Sequence, residues 1–511
     1  MNVIDRFVGF FSPASGLRRA AARITLDQVR NYDGAVYGRR TAGWRSNNAS
    51  ANVAIKRDLP TLRSRSRDLV RNTWWGQRIQ TVFTAHAVGS GIMPKPNTGN
   101  KRLDKRVKAA FKKWAKTCDY EGQLNFDGLV ALATNCIIES GEVLGHLRSV
   151  SPLTVKPGVV PLQLQLLEPD HLDPSHDLMM TSTAIVDQGI EYDDRGRRVA
   201  YWVWPVHPGA RGLVMPKMSV RIEADNILHC YRKVRIGQGR GVPWLAPVML
   251  KGRDLADLEE AVIVKARIEA CLAAFIKSNN PARTLADQVS NEPVAGGSKR
   301  RIEHMAPGMV AYLDQGEELQ TVNPSSSTQF EAVLTTQWLA LAAGAGITYD
   351  QLTGDLRRAN YSSLKAGKIE FRRIVEQFQH LTLVAMFLDP LWERWCADAM
   401  DAGILPRREG GYPVEWIMPA NEPIDPMKDM QADILAVRSG RMTWPQFVAA
   451  WGLDPDTQLD EIEAWYADID ARGIVLDTDP RLALISTKGA AKDESNTEVN
   501  SNAPKPQSKP K

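Results

Sequence analysis

GAGITYDQLTGDLRRANYSSLKAG, residues Gly344 to Gly367, is the stretch on which the reading of this chain turns. It joins a short apolar helix to a very long one through a polar segment carrying Arg357 and Arg358. Upstream, Thr328 and Glu331 have the spacing of a capping box, and Phe330, Leu334, Trp338 and Leu341 then fall on one helical face. Gly344 and Gly346 are expected to stop that helix, because glycine takes the left-handed backbone at little cost. Downstream, Asn360, Ser362 and Ser363 are candidates to cap the next helix, since their oxygens accept from unpaired first-turn N–H groups. From there Leu364, Gly367, Phe371, Ile374, Phe378, Leu381, Ala385, Leu388, Trp392, Trp395 and Ala399 recur at alternating spacings of three and four, a coiled-coil-like seam. Pro390 cannot donate to the carbonyl of Met386 and predicts a kink. Helix, exposed basic loop and long helix suit a loop projecting into a lumen better than a catalytic pocket.

Working outward, composition sets bounds. A chain of 511 residues can hold several cores, and 43% apolar with 24% charged residues is ordinary for a globular protein. No apolar run reaches the roughly 18 residues of a membrane span, and the opening MNVIDRFVGFFSP lacks the core and cleavage site of a signal peptide. Cys118, Cys136, Cys230, Cys271 and Cys396 are scattered without a CxxC pair, so reduced thiols are expected. Charge is unevenly placed. Residues 1–120 hold 24 Lys and Arg against 7 Asp and Glu, a surplus of +17 that leaves −12 for the rest of a chain of net charge +5. A basic amino-terminal region beside an acidic remainder points to a polyanion or an acidic protein partner; solvated helix faces are the alternative.

The pattern reads as α+β and predominantly helical. Helices are expected over Leu59–Ala87, Lys101–Lys116, Phe126–Ser140 and Leu245–Lys277. The first turns Leu62, Leu69 and Ile79 inward, and the last is alanine-rich and apolar on several sides, as between repeated copies of itself. Before that last helix the period changes to two. Strands are expected at Val143–Val150, Leu162–Leu167, Gly189–Tyr192, Arg198–Trp204 and Ile227–Tyr231, with Asp193-Asp194-Arg195-Gly196 as a hairpin turn. Further strands are expected at Met309–Leu313 and Val414–Met418, and short helices at Pro426–Arg438, Thr443–Trp451 and Thr457–Arg472. Residues 1–50 read as a basic arm, and the polar tail from Ser486 as disordered.

Catalytic signatures are scarce. Gly237 to Gly241 follows a strand and precedes a helix, but lacks the Lys-Ser/Thr of a phosphate loop and an acidic ribose partner, so it reads as a flexible connection. Glu168, Asp170, His171, Asp173, His176 and Asp177 have the chemistry to hold a divalent cation, yet Pro169 and Pro174 break the segment and turn chemistry accounts for it. There is no HExxH and no GxSxG. No catalytic residue, metal or cofactor is expected. Arg63, Arg65, Arg67, Arg71, Lys299, Arg300 and Arg301 are candidates to meet phosphates, along with Arg357 and Arg358. Without a reading motif, such contact would be to backbone charge and blind to sequence. For Arg357 and Arg358, a solvated pair or an ion pair between subunits with Asp350 or Asp355 competes with that reading.

The order of elements resembles the portal proteins of tailed bacteriophages, in the lambda-like branch. The motifs that carry the resemblance are Asp58-Leu-Pro-Thr-Leu-Arg-Ser-Arg-Ser-Arg-Asp-Leu-Val-Arg-Asn72, Val88-Gly-Ser-Gly-Ile92, Gly237-Gln-Gly-Arg-Gly-Val-Pro243, Tyr349–Ser363 and Ile424-Asp-Pro-Met-Lys428. The resemblance implies a subunit with wing, stem, clip and crown that closes into a ring of about twelve copies around a central channel. Through that channel, at one capsid vertex, double-stranded DNA would be packaged and ejected. The implied divisions are an arm (1–50), wing (51–244), first stem helix (245–279), clip (280–326), second stem helix (327–345) and tunnel loop (346–361). A long kinked helix returning to the wing (362–422), a crown (423–485) and a tail (486–511) complete them. Asp355, Arg357, Arg358, Asn360 and Tyr361 would then face DNA, Lys299, Arg300 and Arg301 would form a basic clip patch, and Asp254, Asp257, Glu259 and Glu260 are candidates for the stem lumen. Implied partners are the terminase large subunit, head-completion proteins, and major capsid and scaffold proteins, with no membrane. The implied place is the virion, after assembly in the bacterial host cytoplasm. A metal-dependent nucleic-acid enzyme and a capsid shell or scaffold component are the alternatives.

Overall fold

Side-chain caps decide where most of the helices begin. The computed structural model describes residues 48–176, 185–210, 218–271, 275–278, 317–320, 328–357, 360–421, 423, 425–476 and 479, with residues 10, 12–15, 18, 21, 39, 42 and 43 before them. The helices are α1 (Ala51–Lys56), α2 (Leu59–Asn72), α3 (Trp74–Ala87), α4 (Lys101–Ala115), α5 (Phe126–Ser140), α6 (Met249–Cys271), α7 (Thr328–Ala345), α8 (Tyr349–Thr353), α9 (Tyr361–Phe378), α10 (Asp389–Asp401), α11 (Pro426–Arg438), α12 (Trp444–Ala450) and α13 (Pro455–Arg472). The strands are β1 (Met93–Pro96), β2 (Glu142–Ser149), β3 (Leu162–Leu167), β4 (Ile185–Asp187), β5 (Ile190–Tyr192), β6 (Arg198–Val203), β7 (Val220–Glu223), β8 (Ile227–Tyr231), β9 (Phe275–Ser278), β10 (Glu317–Gln320) and β11 (Val414–Ile417).

Residues 1–57 with 235–239 make one compact unit. Within it Ser50 caps α1, and the Asn52 side chain accepts from the Gly239 amide at 2.7 Å. The second unit comprises residues 58–234 and 240–511. Its central sheet has the antiparallel order β3-β2-β8, and a second sheet is the meander β4-β5-β6-β7. The expected turn at Asp193–Gly196 joins β5 to β6, with the Asp193 carboxylate accepting from the Arg195 and Arg197 amides. β1 pairs with the distant β11. One contiguous core holds Trp75, Phe83, Trp114, Phe126, Phe371, Phe387 and Trp395. Each such side chain, fully buried, contributes roughly 1.5–3 kcal/mol.

The structure corrects four expectations. The single helix over Leu59–Ala87 is two, because Thr73 has extended backbone and its hydroxyl both accepts from Gly76 N and donates to Leu69 O. That side chain closes one helix and opens the next. Leu245–Lys277 is helical only over Met249–Cys271, and Phe275–Ser278 instead pairs antiparallel with Glu317–Gln320, a distant partner overriding local pattern. Gly344 is the penultimate residue of α7, which ends where expected, but it keeps helical winding instead of the left-handed backbone; a Cβ there would sit 2.6 Å from Val248 Cγ1, so this glycine serves close packing. Gly346, at φ +74°, does sit just beyond the helix. The strand expected at Met309–Leu313 lies outside the described residues.

The fourth correction concerns the seam. Residues Gln379–Leu388, between α9 and α10, are wound as a π-helix, and the Asp389 amide donates to Val384 O, five residues back. Wider turns change which side chains share a face. Phe378, Thr382, Leu383, Phe387, Leu391, Trp392 and Trp395 are buried, whereas Leu381, at 64% exposure, and Ala385 point away. Pro390 falls in the first turn of α10, where a missing N–H is tolerated.

Candidate nucleic-acid interface

The loop 346–361 is held from both sides before any of its charges come into play. Trp244 Nε1 donates to Ala345 O at 2.8 Å and Arg78 Nε donates to Gln351 O at 2.8 Å. Thr348 and Gln351 form a reciprocal capping box that starts the short helix α8, which the sequence reading took as loop. Gly354, left-handed at φ +71°, ends it. Beyond it the Arg357 guanidinium forks onto Asp355, with Nε to Oδ1 and Nη2 to Oδ2 both at 2.9 Å. This pair lies within one chain, whereas the competing reading placed it between subunits, and the Arg357 side chain is nonetheless 78% exposed. Asp355 pushes the Arg357 pKa further up, so the charge is permanent. Arg358 lies outside the described residues. Asn360 caps α9, with Ser363 returning the bond, as expected.

Tyr361 is exposed, and Lys365 and Lys428 place their Nζ atoms 5.7 and 5.6 Å from its ring centroid. Lys365 also reaches Asp429 at 3.3 Å. An aromatic face between two ammonium groups was missed in the sequence reading. Its signal lay in Ile424-Asp-Pro-Met-Lys428, which the fold brings to the start of α9. On α6, Asp254, Asp257 and Glu260 are exposed and Glu259 is half-buried. Lys299, Arg300 and Arg301 lie outside the described residues.

The arginines of α2 behave differently from expectation. Arg65 and Arg71 are exposed, but Arg63 and Arg67 turn inward. Fully buried Glu142, at the start of β2, gathers five donors. Its Oε1 accepts from Arg63 Nη2 and from Arg240 Nε and Nη2 (2.9 and 2.7 Å); its Oε2 accepts from His229 Nε2 (2.9 Å) and Gly241 N (2.6 Å). Burial would raise the Glu142 pKa, but Arg240, Arg63 and the His229 hydrogen bond hold it well below the usual carboxylate range. Burial pushes His229 down to about 4, so the ring is neutral at pH 7 and carries its proton on Nε2. Arg67 spans Glu168 (2.7 Å) and Asp170, and His207 Nε2 lies 3.3 Å from Glu168. Glu168, Asp170 and His207 converge closely enough to attract a cation, but the Arg67 guanidinium already supplies that positive charge. Thus Glu168 and Asp170 pair with α2 at a half-exposed edge through Arg67, and Arg240 joins α2 at the buried Glu142, although both segments read as turns or flexible connections.

This chain is built as a portal-type subunit, with a helix, a restrained basic loop and a long interrupted helix beside an antiparallel sheet. Residues 37–379 match the family described as phage portal protein, lambda family, and the chain belongs to that family, whose known role is the DNA-packaging channel. It is 26% identical over 440 residues to the probable portal protein of Halomonas phage phiHAP-1, covering 82% of each chain. The portal protein of Escherichia phage N15 is 21% identical over 472 residues, and portal protein B of Escherichia phage lambda is 21% identical over 466. Both alignments cover 82% of this chain and 86% of the relative. A solved chain from the neck of a native gene transfer agent particle, computed with C12 symmetry, aligns at TM-score 0.43 and 16% identity over 76% of this chain and 94% of that one. An HK97 family phage portal protein from Corynebacterium diphtheriae aligns at 0.30 and 9% identity over 71% and 95%. The family assignment rests on the sequence match.

Proposed function

We propose that about twelve copies of this chain close into a ring around a channel for double-stranded DNA, with residues 346–361 as the loop that touches the moving duplex. The observation that carries this reading is the family match over residues 37–379, which spans the wing, both proposed stem helices and the loop. The clip, 280–326, would dock the terminase large subunit during packaging and head-completion proteins afterwards, and the ring would sit among capsid and scaffold proteins at one vertex. Assembly would take place in the host cytoplasm. A non-enzymatic role suits the ionic framework, because five donors on Glu142 leave it no proton to exchange with a substrate.

A conduit works by failing to hold its cargo. Solvent screens an exposed ion pair and leaves it weak, so Arg357 can trade Asp355 for a passing phosphate and trade back at little cost. Asp254, Asp257, Glu259 and Glu260 would repel the duplex elsewhere along the stem. Replacing Arg357 and Arg358 with Ala should lower DNA retention or packaging while annular particles persist in negative stain. Normal packaging and retention by that variant would remove the loop from the mechanism, and a purely monomeric mass by light scattering would remove the ring.

A further inference from the structure

The loop does not account for the basic surplus of the amino-terminal region. Much of that surplus lies on α4 and its C-cap, where Lys101, Lys105, Lys108, Lys112 and Lys116 recur every three or four residues and so share one face. Arg102 and Lys113 flank them, while Val107, Phe111 and Trp114 are buried opposite. The one acid of the helix, Asp104, is turned onto Thr98 N and Oγ1 at 3.0 and 2.6 Å. Two carboxylates of the acidic carboxy-terminal part lie on the middle of the stripe: Asp460 Oδ2 meets Lys105 Nζ at 2.7 Å, and Asp454 pairs with Lys108. The outer lysines, Lys101, Lys112 and Lys116, have no partner among the described residues.

We infer that this face of α4 binds the phosphate backbone of double-stranded DNA, at a surface made of residues other than those of the loop. Two features favour a nucleic acid over a protein partner. No large apolar side chain between 101 and 116 is exposed, whereas protein interfaces draw their affinity from buried apolar and aromatic anchors. The stripe is about 22 Å long, over which one DNA strand presents about six phosphates, and the pairs with Asp454 and Asp460 show anions already seated along it. Lysines act as point charges, so the contact would ignore sequence.

The test is binding of a short labelled duplex of random sequence to the full-length protein across a salt series. Lys101→Glu, Lys112→Glu and Lys116→Glu combined should weaken binding at least about tenfold at low salt and flatten the dependence of log K on log salt by about three, near 0.9 per lost phosphate. A triple Lys→Arg version should bind as the parent does, and Asp460→Asn, which releases Lys105, should bind more tightly. Arg357→Ala separates the two surfaces: if the loop alone binds DNA, that variant loses binding and the triple Glu variant keeps it. Parental affinity and salt slope in a folded triple Glu variant would overturn the proposal.

Discussion

Arg240 with Glu142 and Arg357 with Asp355 use the same two functional groups, and the two sites differ chiefly in water. Arg240 Nε and Nη2 reach one oxygen of a carboxylate that is fully buried, where Arg63, His229 and Gly241 N complete its shell. Arg357 forks onto Asp355 with one nitrogen to each oxygen, yet most of its side chain stays in solvent. In the interior neither partner has an alternative, because an unpaired buried charge is prohibitive. At the surface water and ions compete, so the pair can be exchanged. One site is architecture and the other is available for traffic.

The contrast can be broken most severely from the inside. Glu142→Gln leaves Arg63 and Arg240 facing each other without a counter-charge and should cost about 3–5 kcal/mol, read as lost soluble protein or a lowered urea midpoint. A loss below about 1 kcal/mol would mean that the framework is solvated like the loop. Acid should act next. The folded-state pKa of His229, about 4, lies below the usual 6.5, so the unfolded chain takes up the proton first as pH falls. Its contribution is therefore complete above pH 6.5 and is lost as pH falls toward 4, by up to about 3 kcal/mol. His146, also lowered to about 4 by burial, acts in the same direction, and depressed Glu142 adds a further loss below its ordinary range. Urea midpoints measured from pH 7 to 4 should fall steadily, and less so in His229→Gln. A flat profile would refute the neutral, buried imidazole. Thr73→Ala removes a shared cap at the α2–α3 corner and should cost about 1 kcal/mol, visible by thermal melting. The smallest change in stability, within about 0.5 kcal/mol, belongs to Asp355→Asn. It should nevertheless increase DNA retention by leaving Arg357 uncompensated, opposite in sign to Arg357→Ala; equal retention in both would show that Asp355 does not moderate the loop.

How much of this was legible depended on whether the decisive partner was near in sequence. Strand Leu162–Leu167, helix Phe126–Ser140 and the Asn360 cap follow from local pattern and side-chain reach, and the structure has them where the pattern put them. The inward turn of Arg63 and Arg67 was partly visible, since they share a helical face with Leu59, Ser66 and Val70, which are also buried. What could not be read was the acceptor: Glu142 lies 79 residues from Arg63 and 98 from Arg240. The π-wound stretch was hidden for a related reason. Its sequence fits an α seam, and only packing of Thr382, Leu383 and Phe387 against the core selects the wider turn. In the loop, the sequence pointed to Asp355 as a partner for Arg357 only between subunits; their pairing within the chain, like the approach of Lys428 to Tyr361, required the fold.

The widened turns between Phe378 and Asp389 also set a phase. They use more residues per revolution than ordinary winding, so Trp392 and Trp395 point in a different direction from the one an unbroken rod would give them. Removing a single residue from that stretch would let it tighten and would swing the tryptophans around the axis, away from Phe111 and Trp114. Length and azimuth are thus tuned separately in this one rod, and an insertion or deletion there would re-aim its far end without shortening it by much.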